Sequence, residues 1–129
     1  MNRTETREWV VKILYEMSIN DLSFNNTEKA LEYHGIDGTD KENILEVVEG
    51  VRANIEKIDK YIEDNANVPL NRILLIDLAI LRTSIYEFKI SKTVPTSVSI
   101  NEAVEISKKF SNGQSYKFIN GLLSSVEKQ

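Results

Sequence analysis

Few residues of this chain are placed to break or make bonds. It has one histidine, His34, and no cysteine, so neither a zinc set nor a thiolate nucleophile can be assembled. A carboxylate-bridged di-iron bundle needs two Glu-x-x-His motifs, which one histidine cannot supply. No glycine-rich phosphate loop is present, and no nucleophile has a histidine to activate it. Glu102 and Glu105 are better read as a helix surface beside Lys108 and Lys109 than as an acid pair. What remains is binding chemistry. Arg3 and Arg7 sit four residues apart, on one face of a helix, where both can reach one partner. An enzyme is not expected.

The elements that must position such groups are helices. From Leu70 to Ser91 two apolar stripes overlap. Leu74, Leu78, Leu81, Ile85 and Phe88 form one face, and Ile73, Ile76, Ala79 and Ile80 cover the adjacent one. A helix apolar over most of its circumference must be surrounded, so this stretch is expected at the centre of a bundle. Arg72, Asp77 and Arg82 interrupt it too often for a membrane span. Asp77 marks a kink or a new helix start, because aspartate favours a first turn.

Before it, a helix capped by Thr4 or Thr6 runs to about Ile19 and buries Trp9, Val10, Ile13, Leu14 and Met17. Asn20 to Asn26 is a loop. A short helix from Thr27 stops at Gly35, which supplies a left-handed terminus. Thr39 and Glu42 suggest a capping box for a long third helix from about Asp40 to Asp64. Its seam is Ile44, Val48, Val51, Ile55, Ile58 and Ile62. Gly50 within it implies close approach of another helix. After the central stretch, Ser97 or Ser99 caps a helix to about Phe110, and a last helix runs from about Ser115 to Lys128. It buries Ile119, Leu122, Leu123 and Val126, with Phe118 at the stripe's edge and Gly121 suggesting close packing.

These readings give an all-α fold of six to seven helices in a single domain spanning residues 1–129, a length sufficient for one real core. The formal charge of −4 does not suggest nucleic acid, but its distribution is uneven. Residues 1–27 carry −1, residues 28–77 carry −6 and residues 78–129 carry +3, so the last third can present a basic surface. The N-terminus lacks the apolar run of a signal peptide, which with the absence of cysteine fits the cytoplasm.

Several stretches together resemble one family. Ala79 to Glu87 (AILRTSIYE), Val94-Pro95, Ile100 to Lys108 (INEAVEISK) and Lys117 to Leu123 (KFINGLL) are similar to the C-terminal signature of the bacterial transcription antitermination factor NusB family. Arg7-Glu8 followed by Leu14-Tyr15 is similar to its first helix. The resemblance implies a compact bundle of two packed helical subdomains. It implies binding of boxA-type single-stranded RNA together with NusE, a small-subunit ribosomal protein, within an RNA polymerase antitermination complex, chiefly at ribosomal RNA operons. It also implies, for some members, self-association of RNA-free chains into a homodimer. RNA methyltransferases carry a similar module, but this chain leaves no room for their cofactor domain. No cofactor or membrane partner is expected.

By the same resemblance, the RNA-binding residues are Arg3, Arg7, Tyr116, Lys117 and Phe118. Lys117 meets phosphate, Phe118 and Tyr116 stack on bases, and the amides of residues 115–117 hold phosphate. Thr4, Glu5 and Thr6 stand where further basic residues are common, which thins the arginine cluster. Asp77 is the candidate contact for the basic protein partner. Arg82, Tyr86, Glu87, Asn101, Glu102 and Asn120 belong to the signature and are expected to form a buried polar network joining the last three helices, because buried charges demand partners. The other reading is a helical protein-interaction module with weak or no RNA binding of its own. Acidic groups between Arg3, Arg7 and Lys117 would favour it.

Overall fold

A computed structural model of the chain describes residues 1–19 and 26–129. Seven α-helices account for most of them: α1 (Arg3–Ile19), α2 (Thr27–Tyr33), α3 (Gly38–Ala53), α4 (Ile55–Asn65), α5 (Leu75–Ile85), α6 (Thr96–Phe110) and α7 (Ser115–Glu127). A 3₁₀ turn, Leu70–Arg72, precedes α5, and a π turn, Tyr86–Ile90, follows it. There is no strand among the described residues. The expected loop from Asn20 lies outside them, except for Asn26.

Helix α1 packs on α2, on α3 and most extensively on α5, α6 packs on α7, and α5 touches α1, α3, α4, α6 and α7. Leu78 through Leu81 and Ile85 are all buried, so the central stretch is surrounded as its composition requires. The surrounded part begins later than the stripe suggests. Leu74 and Leu75 are 49% and 42% exposed, because the chain enters α5 only at Leu75. Asp77 therefore lies in a first turn.

Several helix starts differ from the expected ones. The capping box of α1 is made by Asn2 and Glu5: Asn2 Oδ1 accepts from the Glu5 amide at 2.8 Å, and Glu5 Oε1 from the Asn2 amide at 3.2 Å. Asn26 caps α2, accepting from the Lys29 amide, while Thr27, the first helical residue, is buried against Glu49. Gly35 takes φ +72° after α2, the left-handed stop read from the sequence.

The long third helix breaks in two. At Asn54 the side-chain amide donates back to the Gly50 carbonyl at 2.8 Å, a local bond that competes with the helical ladder. The apolar seam continues across the break through Ile44, Val48, Val51, Ile58 and Ile62, all buried. Gly50 does mark a close approach, but of a side chain. A Cβ there would overlap the Tyr86 ring and hydroxyl. Gly121 marks none: nothing lies within 4 Å of where its Cβ would be. The expectation of tight packing at Gly121 is therefore corrected.

Candidate nucleic-acid interface

The residues proposed for RNA come from the start of α1 and the start of α7, with α6 between them. Arg3 is exposed at the first turn of α1 and has no ion-pair partner among the described residues. Arg7, one turn later, is only 9% exposed. Its Nε lies 2.8 and 3.1 Å from the two oxygens of Glu87, and its Nη1 lies 3.7 Å from Glu102. The two arginines thus do not share a partner. One is at the surface, and the other is consumed inside the protein, because a buried guanidinium must be matched by carboxylate.

Glu87 is the centre of that buried group. It also accepts from Ser99 Oγ at 2.9 Å, and Ser99 lies 2.7 Å from Ser84 Oγ. Burial raises the Glu87 carboxyl above its ordinary range. The Arg7 charge, the Ser99 hydroxyl and the Arg7 hydrogen bond each oppose that shift, and nearby Glu102 adds to it. Thr4 Oγ1 reaches Glu102 at 3.4 Å. The cluster ties α1 to the π turn and to α6.

The expected single network of signature residues is divided in three. Glu87 and Glu102 meet through Arg7. Arg82 instead forms a two-pronged pair with Asp59 of α4 at 2.9 and 3.0 Å. Tyr86 packs over Gly50 of α3. Asn101 and Asn120 are exposed and make no side-chain hydrogen bond among the described residues, so they hold nothing together. Asp77 is 4% exposed and accepts from Ser111 Oγ at 2.6 Å and Ser115 Oγ at 2.8 Å. It clasps the turn between α6 and α7 rather than offering a surface acid to a partner.

The start of α7 is also partly occupied from within. The Ser115 amide donates to Asn112 Oδ1 at 3.0 Å, and the Lys117 amide to the Gln114 carbonyl at 3.2 Å. These two amides are not free for phosphate. Tyr116 and Phe118 lie about 160° apart around the helix at 100° per residue, so they serve different flanks. Phe118 is half-buried against the core. Tyr116 faces the groove between α6 and α7, a concavity of about 530 Å³ shared with Lys117, Asn101 and Asn120.

Around these residues is a set that the sequence did not single out. The Lys12 ammonium lies 4.7 Å from the centre of the Trp9 ring and 5.0 Å from that of Phe110. Lys109 lies 5.3 Å from Phe110, and Lys108 and Lys117 lie 5.0 and 5.9 Å from Tyr116. Lysines interleaved with aromatic rings are suited to phosphates and bases together. The signal is present in the sequence as the alternation Lys108-Lys109-Phe110 followed by Tyr116-Lys117-Phe118, but an apolar stripe alone places Trp9 in the core. Acids intervene. Glu8 holds Lys109 at 2.8 Å, and Glu105 lies 3.7 Å from Lys108.

This geometry can be compared with known proteins. A model of the NusB family matches residues 4–128. The chain is 48% identical to the transcription antitermination protein NusB of Thermoanaerobacter sp. (strain X514) over 124 residues, covering 95% of this chain and 88% of that protein. It is 40% identical to the NusB of Clostridium novyi (strain NT) over 132 residues, covering 99% of each. Among solved structures, T. maritima NusB superposes with a TM-score of 0.87 at 30% identity, covering 100% of this chain and 92% of that one. The antitermination factor NusB, in a crystal structure with NusE and dsRNA, shares the fold with a TM-score of 0.85 at 23% identity, covering 98% of this chain and 96% of that one. With the family model matching residues 4–128 and relatives up to 48% identical over nearly the whole chain, one assignment follows: the chain belongs to the NusB family of transcription antitermination proteins.

Proposed function

We propose that this protein is an RNA- and protein-binding adaptor in transcription antitermination. In this reading it binds a boxA-type single strand together with NusE and joins the RNA polymerase complex in the cytoplasm, chiefly at ribosomal RNA operons. The observation that carries it is the lysine–aromatic surface of α1, α6 and α7, on a chain 48% identical to a curated antitermination protein. A related protein of the same fold has been crystallised with NusE and RNA. Lys117 and Arg3 contact phosphate, and Tyr116 and the exposed flank of Phe118 stack on bases. Arg7 acts from inside, holding α1 against α6.

The test is fluorescence anisotropy with a boxA-type strand and a scrambled control, with and without NusE. Preference for the boxA-type strand, sharpened by NusE, is the expected result. Lys117→Ala and Phe118→Ala should weaken binding with helical content retained, since stacking of one base contributes roughly 1–3 kcal/mol. Equal binding of both strands under all conditions would remove the RNA reading.

A second reading has its own observation. Arg7 is neutralised by Glu87 and Glu102, and Glu8 covers Lys109. The positive strip from Arg3 to Lys117 is therefore interrupted, which favours a protein-interaction module whose own grip on RNA is weak. The NusE-free arm of the same experiment separates the two: RNA preference seen only with NusE supports the module.

A further inference from the structure

The two interior glycines of the long helices invite opposite explanations. Gly50 is required because Tyr86 occupies the space of its side chain. Gly121, within α7, has no neighbour that demands it, since its Cβ position is open. Glycine is among the poorest helix formers, so its presence on an exposed helix face is not explained by packing. What it does is leave the groove between α6 and α7 unfilled. Ile100 and Val104 of α6 line that groove with apolar surface, and its volume of about 530 Å³ falls in the range of small-molecule pockets.

The polar groups around the groove are uncommitted. Asn101 on α6 and Asn120 on α7 both line it, and neither amide has a hydrogen-bond partner among the described residues. An asparagine amide offers a donor and an acceptor side by side, the arrangement that reads a base edge. The groove also carries charge of one sign at its end. Lys108 and Lys117 line it, both over the ring of Tyr116. Lys117 has no ion pair among the described residues, and Lys108 has only the distant Glu105. A phosphate-bearing ligand is what this combination fits.

We infer that the α6–α7 groove receives one unstacked nucleotide of the bound RNA, with Asn101 and Asn120 on the base edge, Tyr116 against its face and Lys108 or Lys117 on its phosphate. This rests on the RNA reading above and adds to it the place where sequence is discriminated. Single-stranded RNA is read by splaying bases out onto aromatic side chains and hydrogen-bonding their edges. Lys117, held only by the ring at 5.9 Å, can swing to a phosphate without breaking an ion pair, and Lys108, 5.0 Å from the ring, gives up only its 3.7 Å pair with Glu105.

The test uses Gly121→Leu in the full chain. A Cβ at this position has no neighbour within 4 Å, the rest of the leucine lies in the groove, and leucine is a far better helix former than glycine, so thermal stability should hold or rise. Anisotropy with the boxA-type strand should show at least a tenfold loss of affinity, and the scrambled strand a smaller one. The Asn101→Ala, Asn120→Ala pair should reduce the preference between strands while leaving affinity for the scrambled strand within about twofold. If wild type prefers the boxA-type strand and Gly121→Leu binds it within twofold of wild type, this inference fails and the RNA reading stands. If wild type shows no preference with or without NusE, both fail. If Gly121→Leu loses NusE but keeps RNA, the groove is a protein seat and the inference is overturned.

Discussion

Arg7 is the residue on which α1 depends, and its role is set by burial rather than by charge alone. Its guanidinium is matched to Glu87 where both side chains are nearly buried, so removing it leaves a carboxylate uncompensated. Arg7→Ala should cost about 3–5 kcal/mol of stability by urea unfolding. Loss of RNA binding in that variant would then report a displaced α1, not a lost phosphate contact. Glu87 itself gives a pH signature. Burial raises its folded value above the ordinary 4.5, so the folded protein holds that proton to higher pH than the unfolded chain does. By linkage, the stability associated with this group falls as pH rises from the unfolded value through the raised folded one. Glu87→Gln titrates nowhere. The unfolding free energy of wild type minus that of Glu87→Gln should therefore shrink as pH rises above 4.5. A difference that grows instead would mean that attraction to Arg7 outweighs burial.

At the scale of elements, the π turn after α5 is what lets three consecutive residues work in three directions. The Ser91 amide donates to the Tyr86 carbonyl at 2.9 Å, the i to i+5 bond of a widened turn. Tyr86 meets α3 at Gly50, Glu87 meets α1 and α6, and Phe88 is buried in the core. Gly50→Ala should lower the melting temperature despite the better helix propensity of alanine, because Tyr86 must be displaced. Combining it with Tyr86→Leu should recover part of the loss. The helices themselves were legible in the sequence, because apolar spacing encodes which face is buried: Ile44 to Ile62 and Ile119 to Val126 read correctly. Long-range polar partners were not. Arg82 pairs with Asp59 and Asp77 with Ser111 and Ser115 across α-helices whose docking no local pattern specifies. Gly121 shows the same limit, since a glycine that admits a close neighbour and one that keeps a groove open look alike in a sequence.

At the scale of the molecule, a net charge of −4 coexists with a basic final third. The acidic middle of the chain supplies α3 and α4, whereas the lysine–aromatic surface is built by α1, α6 and α7. RNA binding through this surface should depend only modestly on salt. With about three phosphates met by Arg3, Lys108 and Lys117, the logarithm of affinity should fall with that of salt at a slope of roughly −2. Titrations at several salt concentrations check it. A slope near zero would mean that no phosphate is neutralised, and a much steeper one that Lys12 and Lys109 take part.

The attachment of α1 carries a consequence in time. Arg7 meets Glu87 across 80 residues of chain and Glu8 meets Lys109 across 101. During translation at about 5–20 residues per second, the first helix is made roughly 4–20 s before the groups that neutralise and cover it. Throughout that interval its apolar face, Val10, Val11, Ile13 and Leu14, lacks these late partners. The helix synthesised first is thus the one that must wait, and nascent-chain lengths that end before α6 should leave α1 sensitive to protease.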